Sequence, residues 1–267
     1  MNNVRRTLTA VLLIFAASGI AICQAASKSD LDKEKRWQEQ ILSSLMLGRN
    51  IELRADGVKF LALYQAPSNK QSKGGVILIH GRGAHPAWPD VIEPLRIQLA
   101  EHGWHTLSLQ MPVLRNQATD KDYEPLMPEV PGRIQAGVDF LKQKGITHIV
   151  LLGHSTGATM ASYYLAGGGD PSIKSFVIIS GGPGVPDDAR MDSMRNFVTL
   201  KKLNILDVFG SEDLDYVTAT VTKRRSLARK NHINHYASIE IPGADHFYRG
   251  EEDVLTNKLV GWLNNTQ

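Results

Sequence analysis

Three short stretches of the 267-residue chain hold a hydroxyl, a carboxylate and an imidazole at places suited to nucleophilic chemistry. In "HIVLLGHSTGATMA", an apolar run ends at Gly153, and Ser155 follows inside Gly153-His154-Ser155-Thr156-Gly157. The spacing matches G-x-S-x-G, in which the serine stands on a sharp strand-to-helix corner and the flanking glycines avoid a clash there. A serine hydroxyl is a poor nucleophile until a base takes its proton, and the base needs an acid to orient it. Asp213 in "DVFGSEDLD" and His246 in "PGADHF" supply that acid and that base. Asp215 and Asp187 remain rival acids, and Asp213 has the alternative use of capping a helix that begins near Tyr216. A buried structural role is the alternative for His246.

An attacked carbonyl also needs donors for its developing oxyanion. The backbone N–H of Thr156, at a helix N-terminus, is one candidate. The glycine-rich turn His80-Gly81-Arg82-Gly83 offers the N–H of Arg82 as the second. The Arg82 side chain has two open uses, meeting a substrate carboxylate or phosphate, or pointing to solvent. His85, Trp88 and His154 are candidate cleft residues, with packing as the alternative for Trp88. His232 and His235 have a metal-like spacing but no third ligand in reach, so no metal site is expected. The basic run from Lys223 to Lys230 reads as a solvated helix face, with an anionic envelope surface as the alternative.

These residues require a scaffold that brings loop ends together. "GGVILIHG", "WHTLSLQMP", "HIVLLGHS", "SFVIIS", "NILDVFG" and "YASIEIPG" read as strands. Helical patterns run between them over 89–101, 133–142, 156–166 and 216–230, with a last one over 254–263. Unbroken apolar strands alternating with helices predict a mostly parallel central sheet covered on both faces, an α/β fold. "IELRADGVKFLALYQAP" adds an N-terminal β-hairpin around Asp56-Gly57. Residues 29–46 read as an amphipathic helix, and Arg115 to Pro131 as a long polar loop. In such a sheet, ligands bind where strand C-terminal ends open into loops, and all three candidate residues lie there.

The N-terminus carries Arg5 and Arg6, then an apolar run, then Cys23-Gln24-Ala25-Ala26-Ser27. This reads as a signal peptide over 1–26, implying a periplasmic or secreted protein. A retained membrane anchor and a lipidated Cys23 are the alternatives. Removal of 1–26 takes two arginines and no acid, so a net charge of +3 becomes +1 and nucleic acid is not an expected partner. It also removes the only cysteine, leaving neither a disulfide nor a thiol nucleophile. The reading is a signal peptide at 1–26, a helical segment at 27–50 and one domain at 51–267, its 42% hydrophobic content enough for a single buried core.

"VILIHGRG", "VLLGHSTGA", "DVFGSEDLD" and "PGADHF" resemble the oxyanion, nucleophile, acid and histidine segments of the α/β-hydrolase superfamily, in that superfamily's order. "ADGVKFLALY", "HPAWPDVIEPLR", "HGWHTLSLQMPVL" and "GHSTGATMASYYLAG" are similar to segments of a family of exported bacterial α/β-hydrolase-like proteins. The resemblance implies hydrolysis of an ester or related acyl bond, in a small-molecule or envelope substrate, without a cofactor. It leaves open acyl transfer and a non-catalytic envelope binding protein. Residues 181–203 are too few for the helical cap domain that many members insert, so an open cleft is expected, with Tyr123, Pro125, Met127 and Pro128 in part of its wall.

Overall fold

The computed structural model describes residues 27–68 and 72–266. The expected signal peptide and Cys23 lie outside the described residues.

Among the described residues eight strands form one sheet: β1 (Arg49–Ala55), β2 (Val58–Gln65), β3 (Gly75–Ile79), β4 (His105–Leu109), β5 (Ile149–His154), β6 (Ile173–Ile179), β7 (Asn204–Gly210) and β8 (Tyr236–Ile241). Their spatial order is β1-β2-β4-β3-β5-β6-β7-β8. β1 and β2 form the expected antiparallel hairpin, with Ala55 opposite Val58. Its two turn residues, Asp56 and Gly57, take φ of 48° and 79°, the left-handed conformation that a two-residue hairpin turn demands. β2 runs antiparallel to β4, and every later pairing is parallel. The chain is therefore an α/β protein with a mostly parallel sheet.

The helices are α1 (Leu31–Ser44), α2 (Ile92–Glu101), α3 (Val130–Gln143), α4 (Thr156–Ala166), α5 (Ser193–Phe197), α6 (Asp215–Lys230) and α7 (Glu252–Asn264). Strand residues alternate between two apolar cores. Ile77, Ile79, Leu107 and Leu151 pack on one face of the sheet, with Ile134 and Val138 of α3 and Met160 of α4. Val76, Leu78, Val150 and Leu152 pack on the other, with Leu95 and Leu99 of α2 and Leu259 of α7. Because β3 and β5 are covered on both sides, all five positions of β3 and all six of β5 are buried.

Two helix starts differ from expectation by three residues, and other helix ends by one or two. α2 begins at Ile92 rather than Pro89, because Val91 takes φ of 62° and breaks the helical path before it. α3 begins at Val130 rather than Arg133: Pro131 sits in its first turn, where a missing N–H leaves no bond unmade. The stretch read as a polar loop holds a 3-10 segment, Lys121–Glu129, that buries Tyr123, Leu126 and Met127. The region after β6 holds only the five-residue α5, in line with the expected lack of a cap.

α1 is tied to the body by more than apolar contact. Glu34 accepts from both terminal nitrogens of the buried Arg133 guanidinium, at 2.9 and 3.0 Å. Lys33 Nζ donates to the Leu114 carbonyl and to Asn116 Oδ1, each at 2.7 Å. Ile41 packs on Leu61 and Leu63 of β2. Among the described residues no helix is long and apolar enough to cross a membrane.

Candidate active site

The strand order reverses direction at β3: the chain moves from β3 outward to β4, then returns to the other side for β5. A crevice opens at such a switch point, above the carboxyl ends of the strands. The turn after β3 carries Gly81 and Arg82, and the corner after β5 carries Ser155. Asp213 follows β7 and His246 follows β8.

Ser155 has φ 55° and ψ −125°, a sparsely populated conformation for a residue with a Cβ. Surrounding packing enforces it. A Cβ at Gly153 would stand 2.6 Å from the Ala158 backbone, and one at Gly157 would overlap the Ile79 carbonyl and stand 2.6 Å from that of His80. Both glycines are therefore required where β3, β5 and α4 converge. The Ser155 N–H donates to the Ile179 carbonyl at 2.9 Å, and its carbonyl accepts from Ala158 at 2.9 Å. The side chain is left free to face the crevice.

Ser155 Oγ lies 3.1 Å from His246 Nε2, and His246 Nδ1 lies 2.7 Å from Asp213 Oδ1. Burial alone would push the Asp213 carboxyl up, but hydrogen bonds from His246 and Ser180 offset it and hold the group below the usual carboxylate range. An ionised Asp213 accepts from Nδ1–H, which leaves Nε2 as the acceptor facing the serine hydroxyl. The Leu214 N–H also donates to Asp213, at 2.8 Å, and the Ser180 hydroxyl donates to its other oxygen.

The rival acids are elsewhere. Asp215 and Asp187 are exposed, and neither is the carboxylate that meets His246. Asp213 does not cap α6, whose cap position is Leu214. Sequence reasoning missed Ser180 and Tyr248. Ser180 closes β6 at φ 50° and bridges Asp213 to the Tyr248 hydroxyl, which is 2.9 Å away. The glycines after "VIIS" were the only available signal for Ser180; nothing in the local sequence marks Tyr248.

The turn after β3 passes directly over the serine: a Cβ at Gly81 would stand 3.3 Å from Ser155 Cβ. Neither the Arg82 nor the Thr156 backbone N–H has an acceptor among the described residues, so both are available to a ligand. The turn is held from beneath. The Tyr123 hydroxyl accepts from the Gly83 N–H at 3.1 Å and the Leu114 N–H at 3.2 Å. His80, fully buried, pairs Nδ1 with the Gly81 carbonyl at 2.8 Å and accepts from the Met111 N–H at 3.0 Å. Asp120 spans the two candidate donor residues, accepting from Thr156 Oγ1 at 3.1 Å and lying 3.5 Å from Arg82 Nε.

Several expected cleft residues take other places. His154 is buried behind His246 and donates from Nε2 to the His246 carbonyl at 3.0 Å, so it positions the imidazole loop rather than lining the crevice. Burial pushes its imidazole down to about 4, so it is neutral at pH 7. His85 is clasped edge-on between Trp37 and Trp88 and borders a neighbouring cavity, whereas Trp88 lines a groove beside Arg82. Tyr123 and Met127 are fully buried and Pro125 and Pro128 exposed; the loop's contribution to the pocket wall is Asp120. Arg224, read as part of a solvated face, is buried and chelates Asp207 at 2.6 and 2.8 Å. His232 and His235 are exposed ahead of β8, and among the described residues no group of three or more metal-ligating side chains gathers.

Directly above Ser155 is a cavity of about 140 Å³, bounded by Asp120, Thr156, Pro183, Met191 and Tyr216. It holds no cationic side chain.

The fold is shared with solved structures across most of their length. The chain superposes on Est1E from Butyrivibrio proteoclasticus with a TM-score of 0.62 at 20% identity, covering 82% of this chain and 98% of that one. It superposes on a putative dienelactone hydrolase from Klebsiella pneumoniae with a TM-score of 0.65 at 15% identity, covering 82% and 98%. An alpha-beta serine hydrolase homologue from Coxiella burnetii gives 0.61 at 16% identity, covering 81% and 97%. The α/β-hydrolase fold expected from the motifs is thus the fold of this chain. No curated protein sequence matches it significantly. A family described as "Protein of unknown function (DUF3530)" matches over residues 8–131 and 117–265.

Proposed function

From the premise that the chain belongs to the DUF3530 family and carries an α/β-hydrolase fold, we propose that it is an exported serine hydrolase acting on a carboxylic ester. The observation that carries this reading is the continuous relay from Ser155 Oγ through His246 to the buried Asp213 carboxylate. Ser155 attacks the acyl carbonyl while His246 Nε2 takes its proton. Asp213 holds the imidazole in the required tautomer and stabilises the imidazolium. The Arg82 and Thr156 N–H groups receive the oxyanion. His246 then returns the proton to the departing alcohol, leaving an acyl-enzyme. Water, deprotonated by the same imidazole, releases the acid and restores Ser155. Export rests on the N-terminal pattern of residues 1–26, and cell fractionation with N-terminal sequencing of the mature protein tests it.

A fluorophosphonate probe tests the central claim. The wild type is expected to label and Ser155→Ala is not, with ester hydrolysis falling by about 10⁴-fold or more in the variant. An unlabelled wild type favours the envelope binding protein, and product formed with an added alcohol in place of water favours an acyltransferase. The cavity above Ser155 sets the acyl size. At about 140 Å³ it has room for an acyl chain of a few carbons. Across a series of p-nitrophenyl esters, kcat/KM is expected to peak at acetate to butyrate and to fall steeply by octanoate; a plateau out to dodecanoate would contradict this assignment.

A further inference from the structure

A second and larger concavity, about 610 Å³, begins at Arg82 and Gly83 and runs between α1 and the turn at Arg115. Lys33, Arg36, Arg82 and Arg115 line it, together with the rings of Trp37 and Trp88. One carboxylate, Asp30, also borders it, but that group is engaged as the cap of α1, accepting from the Lys33 N–H at 2.9 Å. Arg36 and Arg115 are exposed and have no carboxylate within ion-pair distance among the described residues, where nine other Lys and Arg side chains do. The walls are built rather than incidental. Lys33 bridges α1 to Leu114 and Asn116 while lying 4.5 Å over the Trp37 ring, and His85 wedges Trp37 against Trp88.

Charge separates the two concavities, which are linked by the contact between Asp120 of the smaller and Arg82 of the larger, at 3.5 Å. The small cavity at Ser155 contains Asp120, paired with Arg82, and no cation; the groove contains Lys33, the paired Arg82, the unpaired Arg36 and Arg115, and a single engaged carboxylate. An anionic group is repelled from the first and attracted to the second. Resting on the serine-hydrolase reading above, we propose that the substrate is an ester whose alcohol moiety carries an oxyanionic group, a carboxylate or a phosphate. The short acyl group occupies the cavity at Ser155. The anion lies in the α1 groove against Arg36 and Arg115, with its carbon skeleton on Trp37 and Trp88. Hydrolysis then releases a short-chain acid and an anionic alcohol, with water as the only co-reactant.

The test compares 4-acetoxybenzoate and 4-acetoxyphenyl phosphate with neutral 4-acetoxybenzamide, on the wild type, Arg36→Gln and Arg115→Gln. Dividing each variant's kcat/KM by that of the wild type cancels differences in leaving-group reactivity. The ratio of anionic to neutral kcat/KM is expected to fall about tenfold in each variant, the worth of one charge-assisted hydrogen bond. The larger fall identifies carboxylate or phosphate as the preferred anion. A second arm needs no turnover: benzoate and phenyl phosphate are titrated against tryptophan fluorescence, since two of the four tryptophans line the groove. The wild type is expected to give a saturable, salt-sensitive change that both variants weaken. Unchanged ratios, or titrations alike in wild type and variants, overturn the groove assignment while leaving the Ser155 reading intact. Saturable binding in a protein that neither labels nor hydrolyses overturns the Ser155 reading and keeps the groove as an anion site.

Discussion

At the scale of single residues, the site depends on groups one step behind the relay. Ser180 and Tyr248 are the clearest case. The Ser180 hydroxyl donates to the Asp213 oxygen that His246 does not use, and it is one reason that this buried carboxyl stays below its usual range. In Ser180→Ala the Asp213 carboxyl moves up. The acid limb of the kcat/KM–pH profile is then expected to shift to higher pH, with kcat lowered and KM little changed. A profile that falls uniformly without moving would assign Ser180 a purely structural part. His154 acts through geometry: its hydrogen bond to the His246 carbonyl ties the His246 loop to the end of β5, next to Ser155.

At the scale of elements, α1 is the surprise. Its pattern announces an amphipathic helix and nothing of where it docks. Glu34 and Arg133 form a buried pair at 7% and 1% side-chain exposure, anchoring α1 to the start of α3. Burial pushes the Glu34 carboxyl up, and Arg133 pulls it back. Removing one partner leaves the other charge buried and uncompensated, so Glu34→Ala is expected to destabilise by about 3–5 kcal/mol in urea unfolding. A loss below about 1 kcal/mol, the worth of an exposed pair, would mean that α1 is not held in this way. α1 also builds one wall of the basic groove, so the same contacts that dock the helix shape the proposed substrate site. The hairpin and the helices flanking the sheet were legible beforehand because their signals are local: apolar periodicity and the Asp56-Gly57 turn. The 3-10 segment was not, because its burial depends on Tyr123 reaching Gly83 and Leu114.

At the scale of the whole molecule, two buried imidazoles couple stability to pH. His80 is pushed down to about 3 and His154 to about 4 by burial, from an ordinary 6.5. Between those values and 6.5 the unfolded chain binds protons that the folded chain refuses. Stability is therefore fully present above about pH 6.5 and is lost as pH falls through the window. Near pH 5, unfolding is expected to take up about two protons from these imidazoles and about one more from His85, which burial also pushes down to about 4, read as the slope of unfolding free energy against pH. The slope is expected to drop by about one proton in His154→Gln, whose amide can still donate to the His246 carbonyl. A flat stability profile from pH 7 to 5 would show that these imidazoles titrate normally.

The sequence by itself determined what is local or periodic: an α/β fold with a mostly parallel sheet, a glycine-flanked serine at a strand end, and an acid and a histidine at later strand ends. Those follow from spacing, because strand and helix periods and turn chemistry are written within a few residues. Only the tertiary structure decided which carboxylate meets His246, that His154 sits behind the base rather than in the crevice, and that Arg224 is buried on Asp207. The arginines of the groove, Arg36, Arg82 and Arg115, come from three separate segments of the chain. Such pairings are made through space by packing, where burial and charge select the partner, and no spacing along the chain records them.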